Sequence, residues 1–562
     1  MRDESPEKGQ GLKGETVKSK QPFRLLPFRR FAFFPASFIP HPSPLRHPSS
    51  LVVAWLFVFA FCAPHSIAAT QIAWGGALVG WMVRLVWRPR ARTFRTPIDY
   101  ALLGFFILTF ISALLSYDPD VSIGKLRAAS LFTIVYVVAE NVSSWQTVRR
   151  LALVLVASTM ISVVYTFGVY AMGRGIKIEG LRPESPLYAA GIRDGDTLLE
   201  TDGVRLSARE GARRLADELR LTPDEQLKGR MVDGMKVRVR TYRLESYPTF
   251  EVERGKLLEG DAIETRLGVR RFAAGRDERA SGFYGHYVTY AEVLQLTASL
   301  AFGLFFARRD KISWSGLLLA LSVVGLAGAL LLTVTRAPWL GFLVSMFVVV
   351  AAGARRRRRM LLATALVAVP LVVGGLFVLQ QKRRVGFLDR SDGSTAWRLM
   401  VYGEGLRLLV REPRHLLVGV GMDSIKRHYR EWGLFDNGRQ NIGHLHSTPL
   451  QIAVERGLPA LFAWLALIFI YARMLWRLAR RFDERRYARP HDDDEDQAWI
   501  PHGTVLGALG GLVGFLTSGL VHWNLGDSEV AMVFYFIMGL ALVIERLSRE
   551  NVSEQTHARV AA

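Results

Sequence analysis

The run Gly443-His444-Leu445-His446-Ser447-Thr448-Pro449 places two imidazoles in a polar loop directly before helix-start chemistry. Thr448 suits an N-cap, and Pro449 suits the first helical position, where its missing N–H costs nothing. Leu450, Ile452, Ala453 and Leu458 continue as an apolar stripe until Gly457 and Pro459 break it. Unpaired N–H groups and the partial positive charge of a helix N-terminus favour a bound anion. An imidazole beside such a site can carry acid–base chemistry on a phosphate ester. A bound anion would favour the protonated ring, so a neutral base would gain activity as pH rises through the histidine range. On spacing alone a surface histidine pair is the commoner arrangement, so the surroundings decide.

Those surroundings are membrane-spanning. Half of the 562 residues are hydrophobic, and they are gathered in blocks. Windows at 51–68, 71–87, 98–116, 127–142, 151–171, 285–307, 313–334, 337–354, 360–379, 460–476, 503–521 and 528–545 predict about twelve transmembrane helices. Lys and Arg collect at Arg88 to Arg95, Arg149-Arg150, Arg308 to Lys311, Arg355 to Arg359 and Arg473 to Arg486. With all the spans counted, these clusters share one side, which the positive-inside rule makes cytoplasmic, together with both termini. The net charge of +22 is then topology and attraction to membrane lipid, and no nucleic acid is needed to explain it. The single cysteine, Cys62, lies in the first span, so no intrachain disulfide forms.

The expected fold is an all-α polytopic membrane protein with a periplasmic α+β insertion and a large periplasmic helical loop. Its parts are a basic cytoplasmic tail (1–50), spans one to five (51–171), the insertion (172–284), spans six to nine (285–379), the large loop (380–459), spans ten to twelve (460–546) and a cytoplasmic tail (547–562).

In the insertion, strand patterns at Lys177 to Leu181, Thr197 to Glu200, Lys236 to Tyr242 and Thr249 to Glu253 flank a helical pattern over 207–220. The run Ser185-Pro186, Ala190-Gly191-Ile192, Gly195-Asp196 and Asp202-Gly203 resembles the PDZ family of bacterial periplasmic proteins. Such domains add an extended peptide to a sheet edge and receive its carboxylate on backbone N–H groups. The resemblance assigns that loop to Gly173, Arg174, Gly175 and Ile176, with a periplasmic peptide or protein as partner. A rigid spacer shaping the membrane domain's outer face is the alternative. PDZ domains also accompany intramembrane metalloproteases, but no His-Glu-x-x-His is present to hold zinc. The large loop opens with Trp397-Arg398, and Leu399, Tyr402, Leu406 and Leu409 follow at helical spacing until Glu412-Pro413. This helix suits the outer leaflet or packing on the membrane domain.

Arg279-Ala280-Ser281-Gly282, Thr335-Arg336-Ala337, Trp397-Arg398, Gly419-Val420-Gly421 and the run from His446 to Leu458 occur in that order, all on the outer side. In this the chain resembles the O-antigen ligase and polymerase superfamily, bacterial inner-membrane glycosyltransferases. Ser447 stands where that family usually has Asn, and the insertion is outside its usual pattern. The resemblance implies a polyprenyl-diphosphate-linked glycan donor, a glycolipid or glycan acceptor, and no metal or other cofactor. It makes His446 the catalytic base and Arg336, Arg398 and Arg279 the diphosphate ligands, with His444 as a neighbour supporting the base. Arginine suits that task because its fork grips phosphate oxygens in pairs and never titrates. Ligase, polymerase and protein O-oligosaccharyltransferase remain open, and a glycan or lipid transporter is the rival from another class. Asp118-Pro119-Asp120 brings together two carboxylates that could hold a divalent metal, but a solvated proline turn is the commoner arrangement.

Overall fold

A computed structural model describes residues 48–87, 95–208, 210–221, 236–243, 246–353, 373–375, 393–440, 442–488 and 495–561. The basic tail, most of the arginine clusters at 88–95 and 355–359, most of window 360–379 and residues 380–392 therefore lie outside the described residues. Each remaining hydrophobic window coincides with a helix. These are α1 (Pro48–Cys62), α2 (Ile67–Trp87), α3 (Asp99–Leu114), α4 (Pro119–Ala129), α5 (Thr133–Asn141) and α6 (Trp145–Met172) before the insertion. After it come α8 (Tyr287–Ala307), α9 (Trp314–Leu332), α10 (Arg336–Gly353), α13 (Thr448–Ala488), α14 (Glu495–Gly519) and α15 (Ser528–Ala561). Among the described residues eight helical stretches are long and apolar enough to cross a membrane, with α4 and α5 counted as one. Two shorter apolar helices, at Ser50–Cys62 and Asp99–Leu114, accompany them.

The centre of the bundle is α8 against α14. Their backbones touch because both carry glycine at the crossing: a Cβ on Gly303 would lie 2.3 Å from the Gly507 nitrogen. Without a hydrophobic drive between helices in lipid, such close approach is what holds spans together. Buried polar groups tie the same layer. Gln295 donates to Ser345 Oγ at 3.2 Å, and Ser345 donates to the Gly510 carbonyl at 2.6 Å.

The insertion is a unit with its own apolar core, built on Ile176, Ile178, Leu198, Leu215, Val239 and Val252. Its strands are β1 (Ile176–Leu181), β2 (Thr197–Thr201), β3 (Val204–Arg205), β4 (Lys236–Tyr242), β5 (Thr249–Glu253) and β6 (Val269–Ala274), with helix α7 (Gly211–Leu219). The sheet order is β5-β4-β2-β1-β6, with β3 paired to β2. The predicted strands and helix are all present, β3 is a short addition and β6 a longer one. Strand β6 pairs antiparallel along β1 from Ile176↔Ala274 to Leu181↔Val269. That pairing corrects the assignment of Gly173 to Ile176 as a peptide-carboxylate loop. Gly173 and Arg174 already donate to the carbonyls of Val169 and Gly275, and the edge of β1 that a peptide would join is filled.

The same bonds bring the two ends of the insertion together. Arg174 N–H donates to Gly275 at 2.8 Å, and Gly275 N–H donates to Gly175 at 3.2 Å. A unit whose ends meet can be removed without stretching its host. Joining Gly173 to Arg276 through a short linker is therefore expected to leave a chain that inserts in the membrane and keeps measurable activity. Residues 173–276 alone are expected to unfold in one cooperative step. Loss of all activity in a stably inserted deletion protein would make the unit part of the site.

The large loop folds onto the outer ends of the spans. Helix α11 (Gly393–Arg411) is followed by α12 (Pro413–Val418), and Glu412 lies between them as expected. The predicted stripe is only partly the packing face, however. Leu409 is buried, but Leu399 and Leu406 are 58% and 54% exposed, and Val401 and Leu408, outside the stripe, are buried with Tyr429, Phe435 and Leu445.

Candidate active site

Gly457 breaks α13 as the sequence predicts, with φ 82° and ψ 167°. The preceding helical segment starts at Thr448, one residue earlier than Pro449. The cap position therefore falls to Ser447, whose carbonyl accepts the Gln451 N–H at 2.8 Å. Thr448 is used otherwise: its hydroxyl donates to the His522 carbonyl at 3.0 Å and bonds Asn524 Oδ1 at 2.8 Å. That contact ties the helix start to the loop between α14 and α15.

Side chains on this segment then hold the histidine loop. Gln451 Oε1 accepts the Leu445 N–H at 2.7 Å, and its Nε2 donates to Glu455 Oε1 at 2.8 Å. Glu455 also accepts the Asp423 N–H at 3.0 Å. Tyr402, on α11, donates to the His446 carbonyl at 3.1 Å. So fixed, His446 sits at φ 50°, a left-handed backbone uncommon outside glycine, which Asn, Asp and His enter more often than other side chains. Strain of this kind collects at functional sites.

The His446 ring meets the edge of Trp397 at 5.0 Å and lies 4.1 Å from the His444 ring. Both histidines and Arg398 line one cavity of about 570 Å³, together with His522, Asp423 and Arg456. Burial, then the charges of His444, Arg398 and His522, push His446 down to about 2. Burial and Lys426 push His444 down to about 4. In the unliganded protein both rings are thus neutral at physiological pH, contrary to the raised value that a bound anion alone would give.

His522 and Glu292 were not singled out from sequence. His522 Nδ1 lies 2.8 Å from Glu292 Oε1, and both side chains are buried. The sequence signal was available: Glu292 is a carboxylate inside an apolar span, and such residues are usually functional. Its partner fixes the loop whose His522 carbonyl holds Thr448.

The predicted arginines divide. Arg398 lines the cavity, whereas Arg279 and Arg336 are not among the lining residues. Their segments are nonetheless neighbours at the same end of the bundle, joined where Ala280 N–H donates to the Leu332 carbonyl at 3.0 Å. Arg279 stacks over Tyr287, a cavity residue, at 4.4 Å, and its charge contributes to lowering His522. Among the described residues no group of three His, Cys, Asp or Glu is placed to hold a metal ion. Asp118 instead pairs with Arg427 at 3.2 Å.

A neutral imidazole and a guanidinium lining one cavity can bind a phosphate-bearing substrate and take a proton from a hydroxyl. Residues 321–465 match the family model described as O-antigen ligase. That segment carries Arg336, Arg398, His444, His446 and Arg456, and leaves Arg279, Glu292 and His522 outside it. No curated protein matches the chain.

Proposed function

We propose, from the match of residues 321–465 to the O-antigen ligase family model, a membrane glycosyltransferase acting on a polyprenyl-diphosphate-linked glycan. The observation that carries this reading is the joint lining of one cavity by His446 and Arg398. In this reading the donor diphosphate is held by Arg398, with Arg279 and Arg336 adding positive charge from the neighbouring segments. His446 takes the proton of the acceptor hydroxyl as its oxygen attacks the anomeric carbon. The carbon–oxygen bond to the diphosphate breaks on the opposite face, so the sugar centre inverts. The diphosphate leaves as an anion, and fixed cations meet the charge it develops. No metal is required by this arrangement. The acceptor is a lipid-linked core sugar, the end of another glycan, or a protein side chain.

The bacterial inner membrane, with the site on its periplasmic face, completes the proposal. It is supported by the placement of the arginines after α8 and within α13, opposite the end where the insertion leaves α6 and enters α8. Alkaline phosphatase fused after Gly203 or Gly433 is expected to be active, and fused after Asp493 inactive. An inactive fusion after Gly433 would put the histidines on the wrong side for this chemistry.

The lowered histidines set the pH dependence. For the free enzyme the base is already neutral, so kcat/KM is expected to be flat between pH 6 and 8. In the donor complex the diphosphate raises the ring's pKa from about 2, but a nearby opposite charge does so by only ~1–3, so kcat is also expected to be flat across that interval and to fall only at lower pH. A kcat/KM that climbs with pH between 6 and 8 would mean that the free-enzyme ring is charged. Stability follows with a defined sign. His444, His446 and His522 have folded-state values below their unfolded one, so unfolding takes up protons as pH falls below about 6.5. Their stabilising contribution is complete above that pH and is lost progressively beneath it.

The experiment that tests the function is the glycan profile of a deletion strain with a donor-accumulation assay. Loss of capped lipid core indicates a ligase, shortened chains a polymerase, and unmodified proteins a protein glycosylase. Unchanged glycans and proteins with no accumulation of polyprenyl-linked glycan would refute the transferase reading and return the transporter as the rival.

A further inference from the structure

The cavity has a second cationic end that the proposed reaction does not use. Arg456 is eight residues beyond Thr448 on the same helical segment, about 12 Å along the axis. Its side chain is 7% exposed and lines the cavity. The guanidinium lies 5.3 Å from the Phe105 ring and 6.0 Å from the Trp523 ring. Its Nε has no hydrogen-bond partner among the described residues.

Its neighbours leave a hydrogen-bonding edge of the guanidinium open. Lys125 and Lys426 both pair with Asp423, at 2.7 and 3.2 Å. Glu455, the adjacent residue, attracts Arg456 by charge but directs its carboxylate to the Asp423 N–H and the Gln451 amide. Of the other carboxylates lining the cavity, Glu292 bonds His522 and Asp527 bonds Thr289. A buried guanidinium whose Nε has no hydrogen-bond partner among the described residues, facing a cavity, marks a ligand.

We infer that Arg456 forms an oxyanion subsite for a phosphate monoester or carboxylate carried by the acceptor. The inference rests on the transferase reading, in which the donor diphosphate occupies the histidine end. Arg456 stands about two helical turns beyond the segment's start at Thr448. The anionic group assigned to it is the acceptor's, the substrate for which the proposed reaction names no cation. The rings of Phe105 and Trp523 flank the guanidinium and give the neighbouring sugar an aromatic wall.

The test uses the full-length chain in detergent and follows thermal unfolding with three probes: glucose 6-phosphate, glucose and inorganic pyrophosphate. Glucose 6-phosphate is expected to raise the unfolding midpoint, and glucose to leave it unchanged. R456Q is expected to weaken glucose 6-phosphate about ten- to hundredfold, the loss of a charge-assisted hydrogen bond, while keeping the pyrophosphate response. R456K keeps the charge and guards against misfolding; it is expected to bind with intermediate affinity. R398Q is expected to lose pyrophosphate and keep glucose 6-phosphate.

Wild-type affinity for glucose 6-phosphate in both Arg456 variants would overturn the subsite. So would its loss in R398Q in place of R456Q. If wild type ignores glucose 6-phosphate and only R456Q loses co-purifying anionic phospholipid, the occupant is a lipid headgroup and the acceptor assignment is wrong. Pyrophosphate binding unaffected by R398Q, with glucose 6-phosphate still dependent on Arg456, would remove the donor reading and leave the subsite standing.

Discussion

Replacing His446 by alanine is expected to lower transfer by about 10²–10⁴-fold, the usual contribution of a positioned general base. The variant should insert and bind donor, and cells carrying it should accumulate polyprenyl-linked glycan. The imidazole is neutral, held by the Trp397 edge and by the Tyr402 bond to its own carbonyl, so little reorganisation precedes proton transfer. Its removal should therefore fall on kcat more than on donor KM. His444→Ala is expected to be milder, because it leaves the His446 backbone and its Tyr402 bond in place. A His446→Ala protein that transfers at the wild-type rate would leave arginine positioning as the whole of the catalysis.

Arg398→Ala is expected to cost about 10²–10³-fold in kcat/KM, the loss typical of one fixed donor to a developing oxyanion. Arg398→Lys should recover only part of it, since a point charge cannot replace the planar fork on two phosphate oxygens. Arg336→Lys is also expected to fall short of wild type, but by less than Arg398→Lys, because Arg398 lines the cavity with His446 and Arg336 does not. Equal losses at the two positions, with donor KM raised alike, would show that both arginines grip the diphosphate in the working complex. Measuring kcat and donor KM separately for each variant makes the comparison.

Much of this site was legible because its parts are local. The helix start at Thr448, the break at Gly457 and the paired histidines lie within a single short run. The strands of the insertion announced themselves through alternation and turn residues. What failed was non-local. The face of α11 that packs inward uses Glu404, whose carboxylate accepts the Phe435 N–H at 2.6 Å, and Gly405, close to Leu445. Its apolar Leu399 and Leu406 turn outward, and beside a membrane hydrophobicity does not separate core from lipid. Strand β6 carries Arg270 and Arg271 together, which hides its alternation. The His522–Glu292 pair joins residues from α8 and the α14–α15 loop, and no spacing within either segment signals it.

The left-handed backbone at His446 has one more implication. Glycine would hold that conformation without the ~1–2 kcal/mol that a Cβ costs there, less what glycine forfeits in chain entropy. Against that gain stand the contacts of the imidazole with Trp397 and His444, which glycine would lose. The stability of His446→Gly therefore reads the balance between a relaxed backbone and a missing ring. Measured beside its transfer rate, it would separate what the loop needs to fold from what it needs to work.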